Sequence, residues 1–499
     1  MTAFQEPDPQ AVRELLRAME GRRVLVVGDG MLDGYLYGTS SRMSPEAPVP
    51  IVQVEREEYL LGGAANVAKC LVALGAKVSL CCAVGNDAQG QEFLNDTRSL
   101  NIDTRLVCRD SFLPTTLKMR IVSGRQHVLR VDREGRKPYP AKLLAQLAAG
   151  VRAAAPDVDA VLLSDYDKGV LDESVCAAAI AAAGARPVLA DPKGLNWRRY
   201  AGATVLKPNW REAAGFLSAL DPEVMLPAVP EDDAAEAAAQ RVRRELDVKN
   251  VLLTRSARGL SVACADGSAF SFPSRAPAVQ DEAGAGDVAA AVTCLALAAG
   301  AGVPMAGWLG NVAAGAKVGK FGTHTVSDYE ILEALGENFP TSARKLMTTA
   351  QAAEFAASLR SSGRKVVFTN GCFDILHLGH GNLLEKARRL GDALIVGVNT
   401  DASVRRLKGP DRPINPEGDR ARLLTYMGCV DAVVFFDDDT PIELIKAVKP
   451  DVICKGGDYK GKEEVVGWEI VESYGGRVVL IELIAGRSTS KVIEKAGKG

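Results

Sequence analysis

Short runs of apolar, often β-branched residues alternate with Ala- and Leu-rich stretches along nearly the whole chain. Within each run the apolar residues are consecutive, which is typical of strands buried on both faces. Examples lie at residues 24–27, 160–163, 188–190, 251–253, 393–396 and 452–454. Strands that alternate with helices form parallel sheets, so the pattern predicts an α/β protein whose sheets are covered by helices.

A polar segment interrupts this alternation at residues 335–349, where Gly, Asn, Pro, Thr and Ser cluster before a new helical pattern begins. Such clusters mark loops between elements, and a chain of 499 residues is long enough for two or three domains. We therefore predict a first domain at residues 1–340, a linker at 341–349 and a second domain at 350–499. The halves share no internal repeat, which indicates two unrelated folds.

Composition and charge are those of an ordinary globular protein, with 47% hydrophobic residues, 24% charged residues and a net charge of −2. A nearly neutral chain gives no reason to expect nucleic acid or an anionic membrane as a partner. The longest apolar stretch, at residues 288–302, is too short to span a bilayer, and no basic-then-apolar signal opens the chain. The ten cysteines include no C-x-x-C pair and indicate reduced thiols. We expect a cytoplasmic protein.

The second half contains the most specific motif of the chain, residues 371–380 with the sequence GCFDILHLGH. It follows an apolar run that predicts a strand, and the residues from Gly381 onward predict a helix. His377 and His380 are three positions apart, so both imidazoles can face one ligand. Gly379 between them allows a phosphate to approach the backbone, where helix amides favour an anion. The histidines could instead bind zinc or serve a structural role, but no third zinc ligand stands at a recognisable spacing.

This motif resembles the G-x-F-D-x-x-H-x-G-H signature of the nucleotidyltransferase superfamily, which includes cytidylyl- and adenylyltransferases and has a Rossmann-like α/β fold. Class I aminoacyl-tRNA synthetases share the H-x-G-H element, but their K-M-S-K-S motif is missing from this sequence. The resemblance implies that His377 and His380 are catalytic and stabilise charge on the transferred phosphate. It also implies nucleotide-binding roles for Asn370, Gly371, Cys372, Phe373, Lys408, Arg420, Arg487, Ser488, Thr489 and Ser490. The basic members of this set, expected to clamp phosphates, could equally be solvated surface charges.

In the first half, residues 280–287 (QDEAGAGD) precede a long Ala-rich helical stretch. Gly284, Ala285 and Gly286 at the helix start offer a row of backbone N–H groups for developing negative charge. Asp287 follows directly and is placed to accept a proton from a hydroxyl that attacks phosphorus. A dinucleotide-binding fingerprint over the same glycines is disfavoured, because the preceding residues are acidic and do not read as a strand.

Two further motifs accompany this one, residues 62–68 (GGAANVA) and residues 209–212 (NWRE). Together the three resemble the signatures of the ribokinase-like (phosphofructokinase-B) family of sugar kinases, whose fold has three αβα layers. The resemblance implies that Asp287 is the catalytic base and that Gly284, Ala285 and Gly286 form the anion hole. It implies an ATP site at Asn209, Trp210, Arg211, Glu212, Lys193 and Thr254, with Glu212 acting indirectly on Mg²⁺. It implies sugar contacts from Asp33, Gly62, Gly63 and Asn66.

The chain departs from the usual family pattern at Glu282, Ala283, Gly30 and Gly34. These positions border the expected anion hole and sugar pocket, so the choice of kinase substrate follows less directly from the resemblance than the fold does.

The order of the two halves resembles a family of bifunctional enzymes of ADP-heptose synthesis, and stretches at residues 44–50, 164–169, 191–194, 406–410, 455–459 and 486–490 extend the likeness. The resemblance implies that ATP phosphorylates O1 of D-glycero-β-D-manno-heptose 7-phosphate in the first half. The second half would then transfer an adenylyl group from ATP to heptose 1-phosphate. The C7 phosphate must be removed between these steps, which implies a separate heptose bisphosphate phosphatase. Ribokinase-like enzymes commonly dimerise, so the resemblance implies a homodimer.

Two alternatives stay open at this point. One is a kinase for another sugar phosphate fused to a CTP-dependent cytidylyltransferase, since the H-x-G-H motif does not distinguish adenine from cytosine. The other is an inactive kinase half that serves as a dimerisation platform, which the retention of Asp287 and its glycines disfavours.

Overall fold

The computed structural model describes residues 4–124, 126–135, 138–223, 225–275, 282–319, 324–336, 345–361, 363–456, 459 and 461–481. Contacts within the chain divide it into two compact units, Met1–Gly336 and Glu337–Gly499. Each unit contains its own parallel sheet, so the predicted α/β fold class is confirmed. Within the described residues, no helix combines the length and the apolarity needed to cross a membrane.

The predicted linker at residues 341–349 differs from the structure in part. Residues 341–344 lie outside the described residues. Leu346–Met347 forms a short strand, because it pairs in parallel with Val433 and Val434 and so extends the second sheet. A helix then begins at Thr349.

The described part of the first unit contains the following strands and helices. The strands are β1 (Arg23–Gly28), β2 (Gly30–Met43), β3 (Pro50–Gly63), β4 (Lys77–Gly85), β5 (Asp103–Asp110), β6 (Thr116–Ser123), β7 (Gln126–Arg133), β8 (Ala160–Ser164), β9 (Val188–Asp191), β10 (Val205–Leu206), β11 (Asn250–Thr254), β12 (Leu260–Ala263) and β13 (Ala269–Phe272). The helices are α1 (Pro9–Met19), α2 (Ala64–Ala73), α3 (Ala88–Ser99), α4 (Ala141–Ala154), α5 (Glu173–Ala183), α6 (Trp210–Leu220), α7 (Asp232–Leu246), α8 (Ala285–Ala298), α9 (Val303–Val318) and α10 (Asp328–Ala334).

The main sheet of this unit has the strand order β13-β12-β11-β10-β9-β8-β1-β4-β5. Its strands are parallel except at the edge formed by β12 and β13, which run antiparallel. The central strands β1 and β8 are almost entirely buried, which explains their consecutive apolar residues. Helices α4 and α5 pack on one face of them, and α2 and α8 contact β1 from the other. This three-layer arrangement is the αβα fold expected from the sequence.

A second, four-stranded sheet has the order β3-β2-β6-β7, and we call it the small sheet. Strands β2 and β6 are parallel, whereas the other neighbours are antiparallel. Strand β2 begins at Gly30, just after β1 ends, and Gly30 pairs with Gly63 at the start of α2. The base of the small sheet therefore lies at the carboxyl end of β1, where ligands of open α/β sheets bind.

The described part of the second unit contains strands β14 (Leu346–Met347), β15 (Val366–Gly371), β16 (Ala393–Asn399), β17 (Ala432–Phe436), β18 (Val452–Gly456) and β19 (Arg477–Ile481). Its helices are α11 (Thr349–Ser361), α12 (Leu378–Arg388), α13 (Asp401–Lys408), α14 (Glu417–Thr425), α15 (Ile442–Val448) and α16 (Trp468–Ser473). The strands are all parallel, in the order β14-β17-β16-β15-β18-β19. The order runs outward from β15 on both sides, which opens a crevice at the carboxyl ends of β15 and β18.

Candidate active sites

The first candidate site begins at the N-terminus of α8. Gly284 caps this helix with a φ of 79°, a left-handed conformation that glycine adopts without steric cost. Because glycine offers no side chain to cap the helix, the end of α8 is open to an anion. The Ala285 amide donates to the Glu282 carbonyl at 3.2 Å, so this N–H group of the predicted anion hole already has a hydrogen-bond partner within the protein.

Asp287 lies in the first turn of α8, and its carboxylate is held from two sides. Asn66 Nδ2 donates to Oδ2 at 2.6 Å, and the Tyr166 hydroxyl donates to Oδ1 at 2.6 Å. Burial raises the pKa of Asp287, while the hydrogen bonds from Tyr166 and Asn66 and the charge of Lys207 oppose the shift. A carboxylate with a raised pKa is a stronger base, which suits the removal of a proton from a hydroxyl.

Sequence reasoning missed Tyr166 and Lys207 as site residues. Lys207 is 3% exposed, and its Nζ lies 3.0 Å from Asp191 Oδ1. The same Nζ lies 3.9 Å from the position that a Cβ on Gly286 would occupy, so it stands beside the predicted anion hole. Burial raises the pKa of Asp191 to about 7 although Lys207 opposes the shift. Tyr166 and Lys207 both follow buried strands, and polar residues just after such strands are the signal that could have found them.

Two cavities share the side chain of Asn209 as part of their walls. One, of about 270 Å³, is lined among others by Asn209, Thr254 and Gly286. The other, of about 450 Å³, is lined among others by Lys193, Asn209, Arg211 and Glu212. The structure thus gathers most of the residues predicted to bind ATP around concave space next to α8, as a nucleotide site requires.

Trp210 differs from the other residues of the predicted ATP site. It is 6% exposed, packs in the hydrophobic core and lines neither cavity. Its Nε1 donates to the Pro227 carbonyl at 2.9 Å. The side chain therefore anchors α6 to the core. The sequence does not show this, because Trp210 lies within a polar motif.

Glu212 is the residue expected to act on Mg²⁺. Its Oε2 accepts the Asn209 amide at 2.9 Å, and its Oε1 accepts Lys193 Nζ at 2.6 Å. With both oxygens engaged, the carboxylate suits a metal held through water better than one bound directly. In the parts of the chain that the structure describes, no group of three or more His, Cys, Asp or Glu side chains is arranged to hold a metal ion. Phosphate oxygens of ATP and water would then supply most ligands of Mg²⁺, as is usual for this ion.

The predicted sugar-binding residues meet where the small sheet joins α2. A Cβ on Gly62 would lie 2.5 Å from Asp33 Oδ2, and one on Gly63 would lie 2.3 Å from the Asp29 carbonyl oxygen. Gly63 also has a φ of 57°. Only glycine permits these approaches, and they place α2 so that Asn66 reaches the Asp287 carboxylate.

Packing explains two of the departures from the family pattern. A Cβ on Gly30 would lie 2.9 Å from Cys82 Sγ and 2.9 Å from the Phe93 ring. A Cβ on Gly34 would lie 2.8 Å from Met119 Cε. Larger residues at these two positions would require their neighbours to move.

The second candidate site begins at the carboxyl end of β15. Helix α12 starts at Leu378, earlier than the sequence pattern predicts, because His377 caps it and its Nδ1 accepts the Gly379 amide at 3.1 Å. The imidazole centroids of His377 and His380 lie 3.9 Å apart, with ring planes inclined by 21°. The structure therefore brings both histidines to one side of the helix start.

His380 is a neutral imidazole at pH 7 in the ligand-free protein. Burial, with the neighbouring charges of His377 and Lys408, lowers its pKa to about 4. Phosphate bound nearby would oppose this shift, because an anion favours the protonated ring. Lys408 itself is exposed, so it is free to contact an incoming nucleotide.

The loop between β15 and α12 is fixed by Asp374, which is 2% exposed. Its Oδ1 accepts the Ile414 amide at 2.7 Å and the Asn415 amide at 3.1 Å. Its Oδ2 accepts Arg412 Nε at 2.5 Å. Asp374 therefore joins the motif loop to the segment before α14, and Phe373 packs next to it with its ring centroid 5.2 Å from that of His380.

Arg420 has a different environment from the one expected of a phosphate clamp. Its side chain is fully buried, and it donates to the Asn415 carbonyl at 3.0 Å, the Cys372 carbonyl at 2.6 Å and Asp401 Oδ1 at 2.7 Å. These bonds occupy the guanidinium within the protein. Arg420 therefore positions the Cys372 backbone, and burial of this kind is invisible in the sequence.

Lys455, at the end of β18, is a cation that the sequence analysis did not select. Its Nζ donates to the Asn370 carbonyl at 3.0 Å, and burial lowers its pKa to about 8. Among the described residues, Asn370 Oδ1 and His380 Nδ1 are buried without a hydrogen-bond partner. The Cys372 thiol lies 3.8 Å from Asn399 Oδ1. A buried ammonium and unpaired polar atoms at a strand end are suited to bind a polar ligand.

Several predicted residues lie outside the described residues. They are Arg487, Ser488, Thr489 and Ser490 of the second unit. Gln280 and Asp281, which open the kinase motif, also lie outside the described residues.

Replacing Arg420 by Met will destabilise the second unit, because Asp401 and two carbonyl oxygens lose their partner. Breaking a buried ion pair on one side typically costs about 3–5 kcal/mol. Chemical denaturation should show the loss in the transition of the second unit only. The exposed Arg422 of the same helix provides the control Arg422→Met, which should leave stability unchanged. A stable Arg420→Met protein with weakened nucleotide binding would instead support the phosphate clamp.

Two known protein families match the chain, one within each of its two compact units. The pfkB family carbohydrate kinase model matches residues 22–330, and the cytidylyltransferase-like model matches residues 368–494. Proteins named bifunctional protein HldE match nearly the whole chain. The one from Trichlorobacter lovleyi is 43% identical over 492 residues, which cover 98% of each chain. The one from Geobacter sulfurreducens is 43% identical over 473 residues, 94% of this chain and 95% of its own.

Solved structures resemble the first unit. Ribokinase from Thermotoga maritima matches with a TM-score of 0.50 and 21% identity, covering 63% of this chain and all of its own. Phosphofructokinase-2 from Escherichia coli matches with a TM-score of 0.52 and 17% identity, covering 63% of this chain and 98% of its own. At these identities the likeness shows the ribokinase-like fold alone. Taken with the matches over the whole chain, the protein belongs to the HldE family of bifunctional proteins, with a pfkB family carbohydrate kinase followed by a cytidylyltransferase-like nucleotidyltransferase.

Proposed function

We propose that the chain catalyses two steps of ADP-heptose biosynthesis. The first unit phosphorylates O1 of D-glycero-β-D-manno-heptose 7-phosphate with ATP, and the second transfers an adenylyl group from ATP to heptose 1-phosphate. The observation that carries the kinase half is the carboxylate of Asp287, held at 2.6 Å by both Asn66 and Tyr166 at the open end of α8. For the transferase half it is the pair of stacked imidazoles at the start of α12.

In the kinase step, Asp287 takes the proton of the sugar O1 hydroxyl as this oxygen attacks the γ-phosphorus of ATP. The bond from the γ-phosphorus to its bridging oxygen breaks, and ADP leaves. The N-terminus of α8 and the ammonium of Lys207 stabilise the negative charge of the transferred group. Glu212 would hold Mg²⁺ through water, and the ion would supply further charge neutralisation at the phosphates of ATP.

In the transferase step, a phosphate oxygen of the sugar 1-phosphate attacks the α-phosphorus of ATP. The bond from the α-phosphorus to the oxygen it shares with the β-phosphorus breaks, and pyrophosphate leaves. His377 and His380 lie where they can donate to the oxygens of the α-phosphate. Lys408, whose charge acts on His380, and Lys455, which bonds to the Asn370 carbonyl, add positive charge to the site.

The product of the first unit carries a phosphate on C7 that the substrate of the second unit lacks. We therefore propose that a separate phosphatase acts between the two steps. We further propose a cytoplasmic homodimer. The ten cysteines, which are all described and all free thiols, suit a reducing compartment, and exposed Leu129 and Val131 of the small sheet suit contact with a second copy.

Mass spectrometry of products tests the proposal directly. The purified chain should convert heptose 7-phosphate and ATP to the 1,7-bisphosphate and stop there. Offered heptose 1-phosphate, it should form ADP-heptose from ATP and little product from CTP. Formation of a cytidylyl sugar would favour the cytidylyltransferase alternative, and a lack of any bisphosphate would favour the inactive kinase half. Formation of ADP-heptose from heptose 7-phosphate by the chain alone would contradict the separate phosphatase.

A further inference from the structure

Strand β6 of the small sheet directs two basic side chains toward the sugar side of the kinase site. Lys118 and Arg120 are two positions apart on this strand and therefore share a face. Arg120 donates to Asp33 Oδ1 at 2.6 Å, which ties it to a predicted sugar-binding residue. Lys118 Nζ lies 5.7 Å from the centroid of the Tyr166 ring, whose hydroxyl donates to Asp287. One aromatic ring therefore separates the Lys118 ammonium from the catalytic carboxylate.

The cations around Lys118 each form an ion pair with a carboxylate, whereas Lys118 forms none in the part of the chain that the structure describes. Those cations each have a carboxylate partner, in the pairs Arg120–Asp33 at 2.6 Å, Arg130–Asp132 at 2.8 Å and Lys168–Glu134 at 2.7 Å. Across the described residues, no carboxylate oxygen lies within 4.0 Å of Lys118 Nζ. Burial and the charges of Lys168 and Arg130 lower the pKa of Lys118, although Asp33 and Asp132 oppose the shift. A half-buried ammonium without a counter-ion costs free energy that a bound anion would recover.

An anion bound by Lys118 would not belong to ATP. The cavities assigned to ATP are lined by residues of the α6 and α8 starts, such as Asn209 and Gly286. Lys118 lies instead on β6 of the small sheet, paired with Asp33 on β2, and its ammonium faces the Tyr166 ring that follows β8. A sugar whose reacting hydroxyl points at Asp287 would lie next to Tyr166, whose hydroxyl bonds to that carboxylate, and Lys118 Nζ lies 5.7 Å from the centroid of the same ring.

We propose that Lys118 binds the phosphate that the sugar substrate already carries, at the end remote from the reacting hydroxyl. Lys118 thereby makes the first unit selective for sugar phosphates over free sugars. This inference rests on the proposed kinase function and adds the residue that recognises the second phosphate. The Arg120–Asp33 pair lies beside Lys118 on the small sheet, and the Lys118 ammonium supplies the charge-assisted hydrogen bonds to the phosphate.

Steady-state kinetics with paired substrates tests the assignment. Lys118→Met should lower kcat/KM for heptose 7-phosphate by about 10- to 100-fold, the usual range for a lost charged hydrogen bond. The loss should appear mainly as a higher KM for the sugar phosphate. The KM for ATP, and kcat/KM for the same heptose without its phosphate, should stay unchanged. Lys118→Arg should keep most of the preference, and Lys142→Met on the exposed side of α4 is the matched control.

The outcomes separate the inference from the function on which it rests. If wild-type protein prefers heptose 7-phosphate and Lys118→Met keeps that preference, Lys118 does not bind the phosphate and only the inference fails. An equal loss for the phosphorylated and the free sugar would also overturn it, since Lys118 would then act on folding or on the chemical step. If wild-type protein phosphorylates no heptose 7-phosphate at all, the kinase proposal fails and the inference fails with it. Adenylyl transfer by the second unit measures the amount of intact chain in each preparation, and an unchanged KM for ATP shows that the kinase unit itself is folded.

Discussion

Replacing Asp287 by Asn will slow phosphoryl transfer to the sugar by about 10²–10⁴-fold, the usual contribution of a general base. Asn keeps the shape of the side chain and can still bond to Asn66 and Tyr166, but it cannot accept the proton of the attacking hydroxyl. The burial that raises the pKa of Asp287 is no obstacle to this variant, because a neutral amide is easier to bury than a carboxylate. Formation of the bisphosphate, followed with labelled ATP, measures the loss.

The control for this variant is Asp328→Asn, an exposed aspartate in the first turn of α10. It removes one carboxylate from a helix start without touching the site, so kinase turnover should stay at the wild-type level. Adenylyl transfer should be unaffected in both variants. Kinase turnover of Asp287→Asn equal to that of the wild type would remove Asp287 from the role of base.

Replacing His380 by Ala will lower the rate of adenylyl transfer by about 10²–10³-fold, as removal of one preorganised donor to a transition-state oxyanion typically does. The centroid of this imidazole lies 3.9 Å from that of His377, so we expect the two rings to act on the same phosphate. The double variant should therefore lose less than the product of the two single losses. Release of pyrophosphate with heptose 1-phosphate as acceptor measures each rate.

The exposed His127 on β7 provides the matched control, since His127→Ala removes an imidazole from the kinase unit. It should leave both activities intact, and His380→Ala should leave the kinase intact. Adenylyl transfer at the wild-type rate in His380→Ala would contradict a catalytic role for this ring.

Much of the fold follows from local sequence pattern. Consecutive apolar runs predict the central strands correctly, because strands such as β1 and β8 are buried on both faces and carry polar residues only at their ends, Arg23 and Ser164. The start of α12 is less predictable. It depends on the His377 side chain accepting a backbone amide, a contact that apolar periodicity does not report.

The sites are less predictable than the fold, because they depend on which strand ends become neighbours. Tyr166 follows β8 and Asp287 opens α8, and only the strand order β10-β9-β8-β1 brings them together with Lys207. The burial of individual polar side chains is also hard to predict from the sequence. Arg420 and Trp210 stand beside binding motifs in the sequence, yet their side chains support the backbone from inside the core.

The central claim is that two separate pockets break ATP at different phosphorus atoms. Wild-type protein is incubated with heptose 7-phosphate in one reaction and with heptose 1-phosphate in another. Each reaction is run with ATP that carries ³²P at the γ position and again with ATP that carries it at the α position. We expect the γ label alone in the bisphosphate and the α label alone in the nucleotide sugar. The same label in both products, or the loss of both activities through Asp287→Asn alone, would contradict two independent sites.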